Sequence, residues 1–335
     1  MGPPEPSSVD RADAIVHAAR VLRSGGLVAF PTETVYGLGA DAENVGAVER
    51  IFIVKGRPST HPLIVHISAS EQLQDWAVGV DKQARVLAER FWPGPLTVIL
   101  RRSARVPLAV TGGLETVALR VPDHPVALAL LQAFGGGVAA PSANRFGSVS
   151  PTSARHVRED LGPHLRNAVD FVLDGGSCNV GVESTIVDCT GEQVAILRPG
   201  GVTREDLERA LGYSVPMCSL GSIRAPGQYP SHYAPRARVI LVEPDELAGE
   251  ARRLQARGCR VGALTPRAFE HAVADGQVVH MLLVPEPMTE YAQKFYELLR
   301  EFDRRGCDVI VASLPPQEGL GLAIADRLRR AAGRP

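Results

Sequence analysis

Lysine is the scarcest charged residue in this 335-residue chain: Lys55, Lys82 and Lys294 are the only three, and the other 33 basic residues are arginine. The five cysteines, Cys178, Cys189, Cys218, Cys259 and Cys307, are widely spaced and contain no C-x-x-C. Neither a disulfide framework nor a zinc site is indicated by that spacing, and a reducing cytoplasm is the expected setting. No run of about 18 apolar residues occurs, and the opening MGPPEPSSVD has neither the basic nor the apolar region of an export signal, so no membrane span is expected. Charge of either sign is not in excess: the net value of -1 argues against a chain that coats nucleic acid, and stable nucleic-acid binding is not expected, although a local basic cleft is compatible with it. The common catalytic signatures are also missing. There is no G-x-x-x-x-G-K-[ST], no G-x-S-x-G and no H-E-x-x-H, and the nearest approach to a dinucleotide fingerprint, Gly135 to Ala140, runs into Pro141 where a helix should open.

What is present is an ordinary globular composition, 45% hydrophobic and 22% charged, in a chain long enough for about two domains. Its densest stretch is Leu27 to Ile67, LVAFPTETVYGLGADAENVGAVERIFIVKGRPSTHPLIVHI. The apolar run Leu27 to Phe30 reads as a buried strand that stops at Pro31, so Thr32, Glu33 and Thr34 are delivered at a strand end facing a cleft. Gly37 and Gly39 are expected to allow a backbone that residues with a β-carbon resist. Ala42 to Val54 reads as a helix with Val45, Val48, Ile51 and Phe52 inward, followed by Lys55, Gly56, Arg57 and Pro58, and Pro62 to Ile67 as a second strand carrying His66. A compact ammonium one residue from a guanidinium suits phosphate oxygens, the lysine as a point charge and the arginine as a fork. Taken alone, a K-G-R-P is more often a solvated basic turn.

Strand followed by a break recurs. Thr116 to Val121 brings Arg120 to its end before Pro122. Val138 to Ala140 ends in Pro141, Ser142, Ala143 and Asn144. Val194 to Leu197 delivers Arg198 before Pro199, and Glu183 and Ser184 precede the strand Ile186 to Asp188. Helices are expected at Val9 to Arg23, with Ile15, Ala19 and Leu22 inward, at most of Ala69 to Trp92, and at Thr203 to Leu211. The expected boundaries are a disordered N-terminus over residues 1–8, a first domain over 9–212, a Pro/Gly/Ser-rich linker over 213–237, and a second domain over 238–335 that alternates strands and helices as a small three-layer α/β unit. Lys55, Arg57, His61, His66, Arg120, Ser142, Asn144, Ser184 and Arg198 form a set of phosphate-type and carboxylate-type ligands. Singly each is more often structural; jointly they recur at strand ends, as a cleft requires.

FPTETVYGLGA, KGRP and PLIVHI at these spacings resemble the YrdC-like domain of threonylcarbamoyl-AMP synthases, over roughly residues 9 to 212, and the second domain resembles the C-terminal extension of the longer synthases. The resemblance implies a YrdC-like twisted mixed sheet with helices and an open cleft, plus a smaller Rossmann-like three-layer domain. It also implies the reaction: L-threonine, bicarbonate and ATP give L-threonylcarbamoyl-AMP and pyrophosphate, which a downstream tRNA threonylcarbamoyl transferase uses to make t6A at adenosine 37, with Mg²⁺ on the phosphates. By the same analogy Lys55 and Arg57 are catalytic and, with Ser142 and Asn144, hold the phosphate and bicarbonate end. Thr34, His66, Arg120, Ala140 and Ser184 would hold L-threonine, while His61, Thr116, Ser150, Arg198 and Tyr233 would join the ATP set. The chain departs from the pattern at Tyr229 and Ser231, where members often carry a cation, and at Phe146, which replaces a common serine. Two other readings stay open at this point: an RNA-binding module without chemistry, and a carbamoyltransferase built on the same domain.

Overall fold

Short apolar runs that end in proline become strands, and the sheet they build decides where the polar residues go. The computed structural model of the chain describes residues 8–218, 232–271 and 280–333. The N-terminal seven residues and most of the linker, with Tyr229 and Ser231, lie outside the described residues. Helix α1 (Ser8–Arg23) buries Ala18, Ala19 and Leu22 and leads to β1 (Val28–Phe30), β2 (Gly37–Asp41), α2 (Val45–Lys55) and β3 (Ile64–His66). Next come α3 (Leu73–Trp76), β4 (Ala77–Val78), α4 (Lys82–Phe91), β5 (Leu96–Arg102), α5 (Leu108–Thr111) and β6 (Thr116–Arg120). The first unit continues through α6 (Pro125–Phe134), β7 (Val138–Ala139), α7 (Ala154–Leu161), β8 (Phe171–Val172), β9 (Thr185–Asp188), β10 (Ala195–Arg198) and α8 (Arg204–Leu211). These ten strands form one mixed sheet in the order β10-β9-β5-β6-β3-β7-β2-β1-β8, with β4 paired to β5.

Register positions the chemistry. β3 and β6 run parallel with His66 opposite Arg120, so two strand ends present an imidazole and a guanidinium side by side. Helix α2 is started by Asn44, whose side chain accepts from the Ala47 amide, and stopped by Gly56 in the left-handed region at φ 63°, which turns the chain out toward Arg57. Gly37 and Gly39, expected to supply unusual backbone, lie instead in the strand β2. A β-carbon on Gly39 would stand 2.6 Å from the Val138 side chain and 2.9 Å from the Phe30 ring, so close packing is what keeps glycine there. Val45 is 44% exposed, not inward, while Val48, Ile51 and Phe52 are buried. The segment from Ala69 to Trp92 is helical in two pieces, interrupted by β4.

The second unit comprises β11 (Arg238–Leu241), α9 (Leu247–Gln255), β12 (Val261–Thr265), β13 (His280–Leu283), α10 (Met288–Arg304), β14 (Val309–Ala312) and α11 (Gly319–Ala332). Its four strands are all parallel, in the order β11-β14-β12-β13. Alternation along β14 gives it three layers: Val309 and Val311 pack with Leu247, Ala251 and Leu254 of α9, whereas Ile310 and Ala312 face Phe295, Leu299, Ile324 and Leu328 of α10 and α11. That second cluster also takes in Val35, Val149 and Val182 from the first unit and Tyr233 from the linker, so the two units share a continuous apolar seam.

Candidate active site

The cleft lies where strands of the large sheet end, and it is open to solvent. Its first wall is the Thr32–Thr34 turn after β1. Thr32 Oγ1 donates to the Val35 carbonyl at 2.6 Å, so the 2.8 Å contact between the two threonine hydroxyls is filled by the Thr34 proton. Thr34 Oγ1 is thereby left with acceptor lone pairs toward the cleft. Beside it Arg120 is buried, with Nη2 2.6 Å from Glu33 Oε1 and Nε donating to the Gly94 carbonyl. The other Glu33 oxygen accepts from the Asp123 amide at 3.0 Å. Burial, with Arg120 adjacent, pushes His66 down to about 3, so its ring is neutral at working pH, and its Nδ1 has no protein partner.

The opposite wall is built by β9 and β10. The Ser184 hydroxyl lies 2.8 Å from Thr97 Oγ1 and accepts from Arg198 Nη2 at 3.1 Å, while the Ser184 carbonyl accepts from Arg198 Nε and Nη2. Gly200 makes this possible, since a β-carbon there would stand 2.3 Å from the Glu183 carbonyl oxygen. Burial pushes Arg198 below its ordinary value.

At the third wall Lys55 is 2% exposed and donates to the Ser142 and Asn144 carbonyls. Burial, reinforced by Arg57 and Arg145, pushes its ammonium well below the usual lysine range. Asn144 Nδ2 donates at 2.8 Å to the Arg145 and Ser148 carbonyls, which closes the loop around the lysine. Arg57 donates to the Pro62 carbonyl and lies 5.9 Å from the Phe146 ring, whose edge contacts are His61 at 5.3 Å and His232 at 5.8 Å. The linker crosses this wall. Tyr233 is buried with φ 61°, 4.1 Å from the His232 ring, and the next amide, Ala234, donates to the Gly147 carbonyl.

Of the residues singled out from sequence, Thr34, His66, Arg120 and Ala140 line the cleft on one side, and Arg57, Ser142, Ser184, Arg198 and Tyr233 line the rest. Lys55 and Asn144 stand directly behind Ser142, and His61 behind Phe146. Ser150 is fully buried and donates to Glu183 at 2.6 Å. Thr116 stands apart: it opens β6 four residues before Arg120, about 13 Å along the strand, and lines a separate surface cavity with Arg101, Arg102 and Thr190. Sequence reasoning did not single out Glu33 or Glu183 as site residues, nor Tyr296 and Arg327, which reach Glu183 from the second unit. The glutamates carried a signal, because each directly precedes a threonine or serine that was chosen. Around the cleft Arg57, Arg120, Arg198, Arg327 and Lys55 stand against Glu33 and Glu183, a cationic balance that suits an anionic ligand.

A cleft of buried cations at the strand ends of a mixed sheet, strapped by a tyrosine from an interdomain linker, defines an α/β enzyme of the YrdC-like class. A family model covering the Sua5, YciO and YrdC proteins, described as "Telomere recombination", matches residues 20–200, and one described as "Threonylcarbamoyl-AMP synthase, C-terminal domain" matches residues 202–333. The chain belongs to the threonylcarbamoyl-AMP synthase family. It is 43% identical to the synthase of Pyrococcus abyssi over 94% of this chain and 93% of that protein, and 43% identical to the synthase of Bacillus subtilis over 95% and 93%. The solved structure of P. abyssi Sua5 complexed with L-threonine superposes with a TM-score of 0.88 at 42% identity, covering 95% of this chain and 94% of that one. Among the described residues no helix is long and apolar enough to cross a membrane.

Proposed function

We propose that this cleft makes L-threonylcarbamoyl-AMP from L-threonine, bicarbonate and ATP, releasing pyrophosphate, for t6A modification of tRNA by a downstream threonylcarbamoyl transferase in the cytoplasm. The observation that carries the reading is the register that sets His66 beside Arg120, with Thr34 on the same side, Ser184 across from them and Arg57 and Arg198 lining the same cleft. The first group suits an amino acid: Arg120 offers a guanidinium to its carboxylate, and Thr34 offers an acceptor to its amine or hydroxyl. The second suits a polyanion.

The chemistry needs no covalent nucleophile. The threonine amine attacks bicarbonate carbon, water leaves, and a carbamate oxygen then displaces pyrophosphate from the α-phosphorus of ATP. Catalysis is positioning plus neutralisation of charge on the departing pyrophosphate, which Arg57 and Arg198 are placed to supply. Lys55 acts one step back, holding the Ser142–Asn144 loop by its carbonyls. A neutral His66 can accept from a ligand at Nδ1 without adding charge. Mg²⁺ is best accounted for as part of the triphosphate substrate, because both glutamates of the cleft are already engaged by protein donors. Pyrophosphate release by the purified protein, with L-threonine and bicarbonate omitted in turn, tests the reading. Release that requires both is the expected result; salt-dependent RNA binding with no turnover would replace it with a binding module.

A further inference from the structure

Glu183 belongs to the first unit, yet two of its three side-chain partners come from the second. Its Oε1 accepts from Ser150 at 2.6 Å, the Tyr296 hydroxyl lies 2.8 and 2.7 Å from its two oxygens, and Arg327 Nε donates to Oε2 at 2.9 Å. Burial pushes this carboxyl up, but Arg327 and Arg198, with the bonds from Ser150 and Tyr296, hold it below the usual carboxylate range. Arg327 is fully buried as well, and its Nη1 donates to the Pro199 carbonyl at 2.6 Å. One guanidinium therefore grips residues 183 and 199, the chain neighbours of Ser184 and Arg198, which are bonded to each other in the cleft. Tyr296 stands one helical turn from Ala292, and there Gly181 at φ 78° presses on α10 so closely that a β-carbon would lie 2.5 Å from the Ala292 carbonyl oxygen.

We propose that Tyr296 and Arg327 are positioning residues of the synthase cleft: through Glu183 they set where Ser184 and Arg198 sit, and so tie the seating of the second unit to substrate binding. The proposal rests on the functional reading above. A purely structural role would show as lost stability without a change in ligand binding. The distinction is open to test because the seam also contains a pair outside the Glu183 cluster, Glu297 with His156 at 2.7 Å.

The experiment uses the full chain as wild type, Tyr296→Phe, Arg327→Lys and the seam control Glu297→Gln, and measures L-threonine affinity by calorimetry, KM and kcat for pyrophosphate release, and Tm. Tyr296→Phe removes one hydroxyl and keeps the packing, and its KM for L-threonine is expected to rise about tenfold. Arg327→Lys keeps the charge but cannot span Glu183 and Pro199 together, and its rise is expected to be larger. Glu297→Gln is expected to move Tm and leave KM alone. Folded Tyr296→Phe and Arg327→Lys proteins with wild-type KM overturn the proposal, as does a Glu297→Gln control whose KM rises as far as theirs. A wild type that neither binds L-threonine nor releases pyrophosphate fails differently: it overturns the functional reading, and this proposal with it.

Discussion

The two sheets bring polar groups to the cleft in opposite ways. The ten-stranded sheet does so at strand ends, where the ladder stops, at Pro122 and Pro199 in two cases, and His66, Arg120, Ser184 and Arg198 are left at the rim. The second unit has none of its strand residues among those lining the cleft; what it sends to Glu183 rides on helix faces, Tyr296 on α10 and Arg327 on α11. The two buried carboxylates beside the cleft mark the same division. Glu33 is satisfied inside its own unit, by Arg120 and the Asp123 amide, whereas Glu183 depends on the neighbouring unit. A group held locally can survive separation of the domains; a group held across the seam cannot, because a buried charge stripped of its partners is costly.

The comparison breaks most sharply at the phosphate wall. Arg57→Ala is expected to lower turnover by about two to three orders of magnitude and to cost about 1–3 kcal/mol for the Pro62 carbonyl that it orphans. Lys55→Met should lower turnover too, but it orphans the Ser142 and Asn144 carbonyls and should cost about 1–3 kcal/mol for each. Urea denaturation of both variants checks this, and equal stability would show that the loop does not hang on the lysine. Next in size is Gly181→Ala, which adds a methyl at φ 78° against the α10 backbone. We expect a loss of about 1–3 kcal/mol from strain alone and a raised KM for L-threonine, read by calorimetry. Wild-type binding in this variant would mean the seam can shift without moving Ser184.

The smallest effect separates the units by pH. His66 falls from an unfolded value near 6.5 to about 3 in the fold, so between those values the unfolded chain binds the extra proton and stability drops as pH falls. Glu183 is held below its ordinary value near 4.5, so its contribution is full above that pH and is lost only on further acidification. His124 of the same unit as His66 and His232 at the seam are likewise pushed down by burial and add to the drop in stability, which falls on the strand-end unit and the seam before Glu183 is protonated. Trp76 and Trp92 of the strand-end unit are the only two tryptophans of the chain, so tryptophan fluorescence in urea reports that unit alone. The urea midpoint is expected to fall between pH 6.5 and 4.5; a flat midpoint would remove His66 from the account.

Much of the first unit was legible because its signals are local. A buried apolar run closed by proline marks both the strand and the place where polar side chains emerge, and that rule found β1, β6, β7 and β10 and most of the residues around them. Helices α6 and α7 were missed: α6 is apolar on several sides and resembles a strand-forming run, and α7 is short and begins beyond a turn-rich segment. Tyr296 and Arg327 were invisible for a different reason. On a helix they read as one aromatic and one arginine among many, and only the packing of α10 and α11 against residues 180–184 reveals what they hold. Glu183 lay beside Ser184, and that adjacency was its signal; what the sequence does not show is that its carboxylate is buried among partners from α10 and α11.

Tyr233 is held in a strained backbone conformation. It is the one non-glycine residue with positive φ among the described residues, a conformation that costs about 1–2 kcal/mol for a bulky side chain, and it is kept there by His232, Tyr296 and Arg327 around its ring. The strap is thus a loaded catch. Once its ring leaves these neighbours the backbone relaxes, so displacing it costs less than the lost contacts alone would suggest.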